Sequence, residues 1–292
     1  MNPPSLWSLE IGDRGVLAPG RWFWPRVTLW LIGLFGLAAL ALFASFQLRD
    51  WLGLPKGSRY YVGLLVPAAA LGVYALAVKI GERRNARELA LLAAPANLAI
   101  GAIVGFSFMA LSLIILWALR LNSVARGHWR DWFFYLVFNA YISAVVEELG
   151  FRAILLRLLA RMFGPAPGLI ISAGLFALAH ASHAPPAAVA LLFINGGLLL
   201  GVLYMVSGSL WVAIGAHIAY DFTEWSLFGV GDKDGYLVVT PSPQQADWLT
   251  GGGFGPDGSV LSAVVALCLI SVVLLVGRTR ARRNASQMVL PD

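Results

Sequence analysis

WFFYLVFNAYISAVVEELGFR, residues 132–152, is an apolar run that ends in two adjacent glutamates, Glu147 and Glu148, with Arg152 four residues after the second. From Trp132 to Val146 it carries no charged residue. Such a run reads as a membrane-spanning helix, and ionisable side chains at membrane depth are costly enough to be functional candidates by default. Downstream, His180 and His217 lie inside further apolar stretches, and Asp221 follows one helical turn after His217. Acids, a base and imidazoles recurring across three apolar segments are the equipment for activating a water molecule.

The rest of the chain supports a membrane setting. Of 292 residues, 59% are hydrophobic and 12% charged, with a mean hydropathy of +0.76. Soluble domains carry about 25% charged residues, so this is an integral membrane protein whose surroundings are the lipid bilayer. The net charge of +6 would suggest nucleic acid in a soluble chain. Here the basic residues cluster between apolar segments and read as topology and headgroup charges instead, so no nucleic-acid partner is expected. The single cysteine, Cys268, excludes an internal disulfide and thiolate metal clusters. Residues 1–26 are polar and aromatic rather than a cleavable signal, and Trp7, Trp22 and Trp24 suit an interfacial belt.

A span needs about 20 apolar residues. The candidates are Val27–Phe46, Tyr60–Val78, Leu98–Leu119, Trp132–Arg152, Gly168–Ser182, Ala187–Val206, Leu210–Val230 and Val260–Val276. The expected fold is therefore all-α, a polytopic transmembrane helical bundle of about eight spans. Residues 1–130 would hold an interfacial segment and three spans, 131–228 the four spans that carry the paired glutamates and the two histidines, and 229–292 a non-cytoplasmic loop, the last span and a basic tail. Pro165, Pro167, Pro185 and Pro186 fix the ends of the fifth span. The spacings Gly101…Gly105 and Gly197…Gly201 would let neighbouring backbones approach closely. Ala86–Asn97 reads as an interfacial linker, and Arg152–Phe163 as a cytoplasmic continuation of the fourth helix with Arg157 and Arg161 at the headgroups. The segment Gly231–Ser259 reads as a turn-rich loop; Gly253, Gly255 and Gly258 match GxGxxG but have no βαβ context, so they mark no nucleotide site.

Sidedness follows from the basic residues. Arg14, Arg21, Arg26, Lys79, Arg83, Arg84, Arg87, Arg157, Arg161, Arg278, Arg280, Arg282 and Arg283 fall on one side, and Arg49, Lys56, Arg59, Arg120, Arg126, Arg130 and Lys233 on the other. The positive-inside rule then places both termini in the cytoplasm, in an inner (cell) membrane of bacterial type. With a rise of about 1.5 Å per residue, Glu147 would lie about 8 Å from the inner end of its span, His217 about 10 Å and His180 about 18 Å, which puts one site in the inner half.

Residues four apart share a helix face. Glu148 and Arg152 can therefore pair, while Glu147 points about 100° away toward different surroundings. Phe176 and His180 share a face, as do His217 and Asp221, and Asp221 could orient the His217 ring. Glu224 shares that face too and is read as an outer-boundary residue, with site lining as the alternative. His183 reads as a helix-end residue and His128 as interfacial, and Asn195 as a source of an interhelical hydrogen bond. The chain has no HExxH and no GxSxG. Tyr220-Asp221 and Gly229-Val-Gly-Asp232 imitate aspartyl intramembrane protease signatures, but on one segment rather than two facing ones. Zinc on Glu147, His180 and His217 stays open, since two histidines and a glutamate are a known catalytic set.

Glu147-Glu148-x-x-x-Arg152, Phe176-x-x-x-His180 and His217-x-x-x-Asp221 resemble the three ordered motifs of the CAAX protease and bacteriocin-processing (CPBP, or ABI) family, which includes the type II CAAX prenyl endopeptidases. Asn195-Gly-Gly-Leu-Leu-Leu-Gly201 and Gly208-Ser-Leu-Trp211 are also similar to that family, and the resemblance covers about residues 131–228. The family's last motif often ends in Asn, where this chain has Asp221. The resemblance implies a membrane-embedded peptidase in which Glu147 is the general base, His180 its partner, and His217 with Asp221 the oxyanion element, supported by Glu148 and Arg152. The substrate would be a membrane protein or peptide. A metal-free, glutamate-type mechanism with no cofactor is the preferred reading, with zinc at Glu147, His180 and His217 as the alternative. A rival class is a non-catalytic membrane scaffold or bacteriocin-immunity-type protein that keeps the motifs as a buried polar network. A transporter using the acids as a proton relay ranks below both.

Overall fold

The computed structural model describes residues 6–53, 58–128, 132–230 and 235–289. Lys56, Arg130, Gly231, Asp232 and Lys233, which entered the readings above, lie outside the described residues, as do the side chains of Arg49 and Arg59. Eight helices correspond one for one to the eight expected spans. They are α1 (Phe23–Trp51), α2 (Arg59–Ala77, extended by a wide turn over Val78–Glu82), α3 (Ala94–Ala118), α4 (residues 132–163), α5 (Pro165–Ala179), α6 (Pro186–Ser207), α7 (residues 210–227) and α8 (Val260–Val289). The fold is an all-α polytopic bundle. By length and composition α1, α2, α3, α6 and α8 hold stretches able to cross a membrane, and α5 is a shorter apolar helix. In the most apolar window of α6, 67% of residues are buried, against 11% in α1. So α6 is the central helix and α1 a peripheral one. Leu29, Ile32 and Phe43 on α1 and Val264, Leu267 and Val272 on α8 stay exposed, as lipid-facing side chains do, and Cys268 is exposed among the latter.

Proline sets the helix starts. Pro165 and Pro186 occupy first-turn positions, where the missing N–H would have had no partner anyway. The close approach expected of Gly101 and Gly105 is present. A Cβ at Gly101 would overlap the carbonyl oxygen of Val212, and one at Gly105 that of Ala216. Only glycine lets α3 lie this close along α7, the helix that carries His217.

The two ends of the bundle differ. At one end residues 6–20 form a strap beneath the helices. Ser8 N–H donates to the Met205 carbonyl, Arg157 to that of Ile11, and Arg161 to that of Leu17, which is fully buried. Arg157, expected at the headgroups, is instead buried in an ion pair with Glu82 at 2.7 Å. The wide turn at the end of α2 brings Glu82 inward to meet it, and an unpaired charge there would be far costlier than a paired one. At the other end the loops are not wholly irregular. Strand β1 (Asn122–Arg126) pairs antiparallel with β2 (Leu237–Pro241), with Val124 opposite Val239. The β-branched run Val238-Val239-Thr240 suits a strand.

Candidate active site

Glu147 and Glu148 sit at the middle of α4 and face different partners, as consecutive helical residues must. Glu148 is fully buried. Its Oε1 lies 3.2 Å from Arg152 Nη1 and 2.9 Å from His217 Nδ1. Arg152 is anchored in turn: Nη2 donates to the Gly196 carbonyl at 2.7 Å, and its guanidinium lies over the Phe176 ring at 4.4 Å. A Cβ at Gly196 would overlap that ring. One arginine thereby ties together α4, α5 and α6, while Glu148 reaches α7. Three helices widen to π geometry beside this cluster, over Leu149–Leu156, Phe193–Leu198 and Phe222–Leu227, next to or around Glu148, Asn195 and Asp221. Such widenings collect at functional sites.

Glu147 turns the other way, into a cavity. Its Oε1 accepts a hydrogen bond from Ser143 Oγ at 2.7 Å, one helical turn earlier. Its Oε2 has no hydrogen-bond partner and lies 4.0 Å from both His180 Nε2 and His217 Nε2. Each imidazole is held from behind. His180 Nδ1 donates to the Phe176 carbonyl at 2.9 Å, because a carbonyl oxygen only accepts. That leaves its Nε2 turned to Glu147. His217 Nδ1 is held by Glu148, and its ring stacks against Tyr220 at 5.8 Å between centroids. Asp221 Oδ2 lies 3.7 Å from His217 Nε2.

The cavity these groups share has a volume of about 790 Å³. Phe138 and Ser143 of α4, Phe176 and His180 of α5, and His217, Tyr220, Asp221, Glu224 and Trp225 of α7 line it, with Leu192 of α6. His183 and Pro185 from the α5–α6 loop and Gly253, Phe254 and Asp257 from the α7–α8 loop complete it. Asp257 is buried and tightly held. Tyr220 Oη donates to its Oδ2 at 2.6 Å, and Asn195 Nδ2 to its carbonyl at 2.6 Å. Burial pushes the Asp257 carboxyl up to about 6, opposed by the Tyr220 hydrogen bond. Asn195 therefore bonds a loop backbone rather than a neighbouring helix.

Glu147, His180, His217 and Asp221 come together around one cavity, and Glu148 pairs with Arg152 as their spacing required. The orientation of His217 differs from expectation: Glu148 holds Nδ1, and Asp221 stands on the Nε2 side. The fourth helix continues past Arg152 unbroken to Phe163, the continuation expected over Arg152–Phe163. Glu147 is thus about 24 Å from that end by helical rise, and His180 caps the far end of α5. The cavity belongs to the half of the bundle that carries the β1–β2 strand pair. His183 and Glu224 line it, Glu224 in keeping with the alternative reading. Ser143 and Asp257 entered no sequence reading of the site, and Tyr220 entered only through the Tyr220-Asp221 imitation of another protease signature. Only Ser143, four residues before Glu147, carried a local signal.

Among the described residues no three histidine, cysteine or carboxylate side chains are spaced to hold a metal ion. Residues 129–223 match the family model described as "Type II CAAX prenyl endopeptidase Rce1-like". That segment is similar to the CAAX protease family. Every element of the Glu147 cluster on α4, α5 and α7 lies inside the matched residues, whereas Glu224 and Asp257 lie beyond them. No curated protein and no solved structure matches the chain. That similarity and the apolar helices around the segment mark an integral membrane protein.

Proposed function

We propose that the chain is an intramembrane endopeptidase in which Glu147 activates a water for attack on a peptide carbonyl. The observation that carries this is the free Glu147 Oε2 placed 4.0 Å from two imidazole Nε2 atoms. A separation beyond hydrogen-bond reach between convergent polar groups suits one water bridging them. Glu147 takes a proton from the water as its oxygen bonds to the carbonyl carbon. His217 stabilises the tetrahedral oxyanion through Nε2–H, which the neighbouring acceptors Glu147 and Asp221 favour as a donor. The proton held by Glu147, with His180 beside it, passes to the leaving amine as the C–N bond breaks. Glu148 and Arg152 position His217. The mechanism needs no metal ion.

Membranes containing wild-type protein should lack peptides that accumulate uncut when Glu147→Ala or His180→Ala replaces it, as read by comparative proteomics. Equal peptide patterns in all three would refute the assignment. Zinc remains the rival for the same side chains, and loss of cleavage on chelation, restored by zinc, would transfer the water to a metal. We place the termini and the more basic end in the cytoplasm by the positive-inside rule. The cavity loops then face the non-cytoplasmic side. In a Cys268→Ser background, an impermeant thiol reagent on intact cells should label Ser242→Cys and spare Arg280→Cys.

A further inference from the structure

Glu224 and Asp257 are not needed for the water chemistry above, yet both line the same cavity and both are more than nine-tenths buried. Each carboxyl has one tethered oxygen and one free one. Glu224 Oε2 accepts from Trp225 Nε1 at 3.2 Å, and Asp257 Oδ2 from Tyr220 Oη at 2.6 Å. Glu224 Oε1 and Asp257 Oδ1 receive no hydrogen bond from an N–H or hydroxyl donor, and the two carboxyls lie within hydrogen-bond reach of each other. The two free oxygens converge at Gly255: a Cβ there would overlap Glu224 Oε1 and lie 3.3 Å from Asp257 Oδ1. Among the described residues no lysine or arginine lines the cavity, and Arg152 is committed to Glu148 and Gly196. Two buried carboxyls side by side are costly when both are ionised, so the pair calls for either a shared proton or a bound cation.

We propose that Glu224 and Asp257 form a subsite for a substrate ammonium or guanidinium group, so that the cavity selects peptides with a cation close to the scissile bond. A cation brings the donors that both free oxygens need and the charge that two adjacent carboxyls favour. The tether through Tyr220, whose ring stacks on His217, fixes this subsite at short range from the reacting atoms. The subsite rests on the proposed peptidase reading for its role, and its binding can be measured without turnover. Both residues lie outside the matched residues 129–223, so the selectivity belongs to this chain rather than to its family motifs.

The test uses full-length protein in detergent and pairs of N-acetylated fluorescent peptides that differ only by lysine or norleucine at one scanned position, each also made without the acetyl group. Binding is read by anisotropy and cleavage by mass spectrometry. At one position lysine should tighten binding by about tenfold, roughly 1.4 kcal/mol. That ratio should fall to within about twofold in Asp257→Asn and in Glu224→Gln. A preference found only in the unacetylated set would assign the cation to the amino terminus instead of a side chain and would equally support the subsite. Absence of any charge preference, whether from equal binding or from none, overturns it, as does a preference that both variants keep. Charge-selective binding without cleavage would uphold the subsite and refute the peptidase. Cleavage without charge preference would do the reverse.

Discussion

Glu82, Arg84, Glu88 and Arg157 at the strap end of the bundle, and Glu147, His180, His217, Asp221, Glu224 and Asp257 at the strand-pair end, are two clusters of ionisable side chains inside one apolar protein. In the first, every carboxylate oxygen is hydrogen-bonded. Glu82 accepts from Arg157, Arg84 and Trp30, and Glu88 from Arg84 and Tyr74. Burial alone would raise the Glu88 carboxyl, but its Arg84 bonds and the Arg157 charge hold it below the ordinary carboxylate range. In the second cluster Glu147, Glu224 and Asp257 each keep a buried oxygen that receives no hydrogen bond from an N–H or hydroxyl donor. Buried polar groups are nearly always satisfied in native proteins. The strap-end cluster obeys that rule and so reads as a fastening. The strand-pair cluster breaks it three times around one cavity, and that distinguishes a site from a strut.

Glu147→Gln attacks the contrast where it is sharpest. The amide keeps the side chain's shape and can still accept from Ser143, but it cannot take a proton from water. Cleavage should fall by about 10²–10⁴-fold, the usual contribution of a general base. The melting temperature in detergent should not drop. A variant that cleaves at the wild-type rate would reduce the strand-pair cluster to a second strut.

Glu82→Ala probes the other side and should do the reverse. It strands Arg157 without its carboxylate, and breaking a buried pair costs about 3–5 kcal/mol. Thermal unfolding should move down sharply, while cleavage per folded molecule stays within about twofold. If activity were lost from protein that melts normally, the two clusters would be coupled rather than separate.

Asp257 gives a pH signature that the strap end lacks. Burial, opposed by the Tyr220 hydrogen bond, pushes its carboxyl up to about 6 from an ordinary value of 3.8. The folded state therefore binds more protons than the unfolded state between those values. Stability should fall as pH rises from about 4 to about 6 and level off above, by at most about 3 kcal/mol. Asp257→Asn should flatten this step in melting curves taken across that window. Glu88, held low by its arginines, contributes in the opposite sense, with stability lost as pH falls below its ordinary range.

The eight helices were legible because each apolar run is long and its breaks fall at proline, glycine or charge. Glu147, Glu148, Arg152, His180, His217 and Asp221 were legible as ionisable groups at membrane depth, in an order that resembles a family. What stayed hidden depends on distance along the chain. Glu148 reaches His217 across 69 residues, and nothing local distinguishes that bond from the Arg152 pair it also makes. Asp257 lies in a loop whose glycines read as turns, and its partners Tyr220 and Asn195 come from two helices. Arg157 misled for a related reason. An arginine past the end of a span looks the same whether it meets headgroups or a buried Glu82. Two five-residue strands are likewise too short to announce a pairing between residues more than a hundred positions apart.

Ser143→Ala is the smallest perturbation and the finest test of the difference between the clusters. Ser143 does not touch the second oxygen of Glu147; it holds the first at 2.7 Å. Removing it leaves the base, both imidazoles and the cavity in place, and frees the Glu147 carboxylate to rotate within its face of α4. A neutral hydrogen bond to a charged acceptor is worth about 1.5–3 kcal/mol at most, and an exchange with cavity water recovers part of that. The turnover rate should therefore fall about three- to tenfold, with KM little changed, because orientation of the base matters in the transition state more than in substrate binding. If KM rose instead and the turnover rate held, Ser143 would belong to the substrate's binding surface, and the free oxygen of Glu147 would have to be aimed by something other than its own helix.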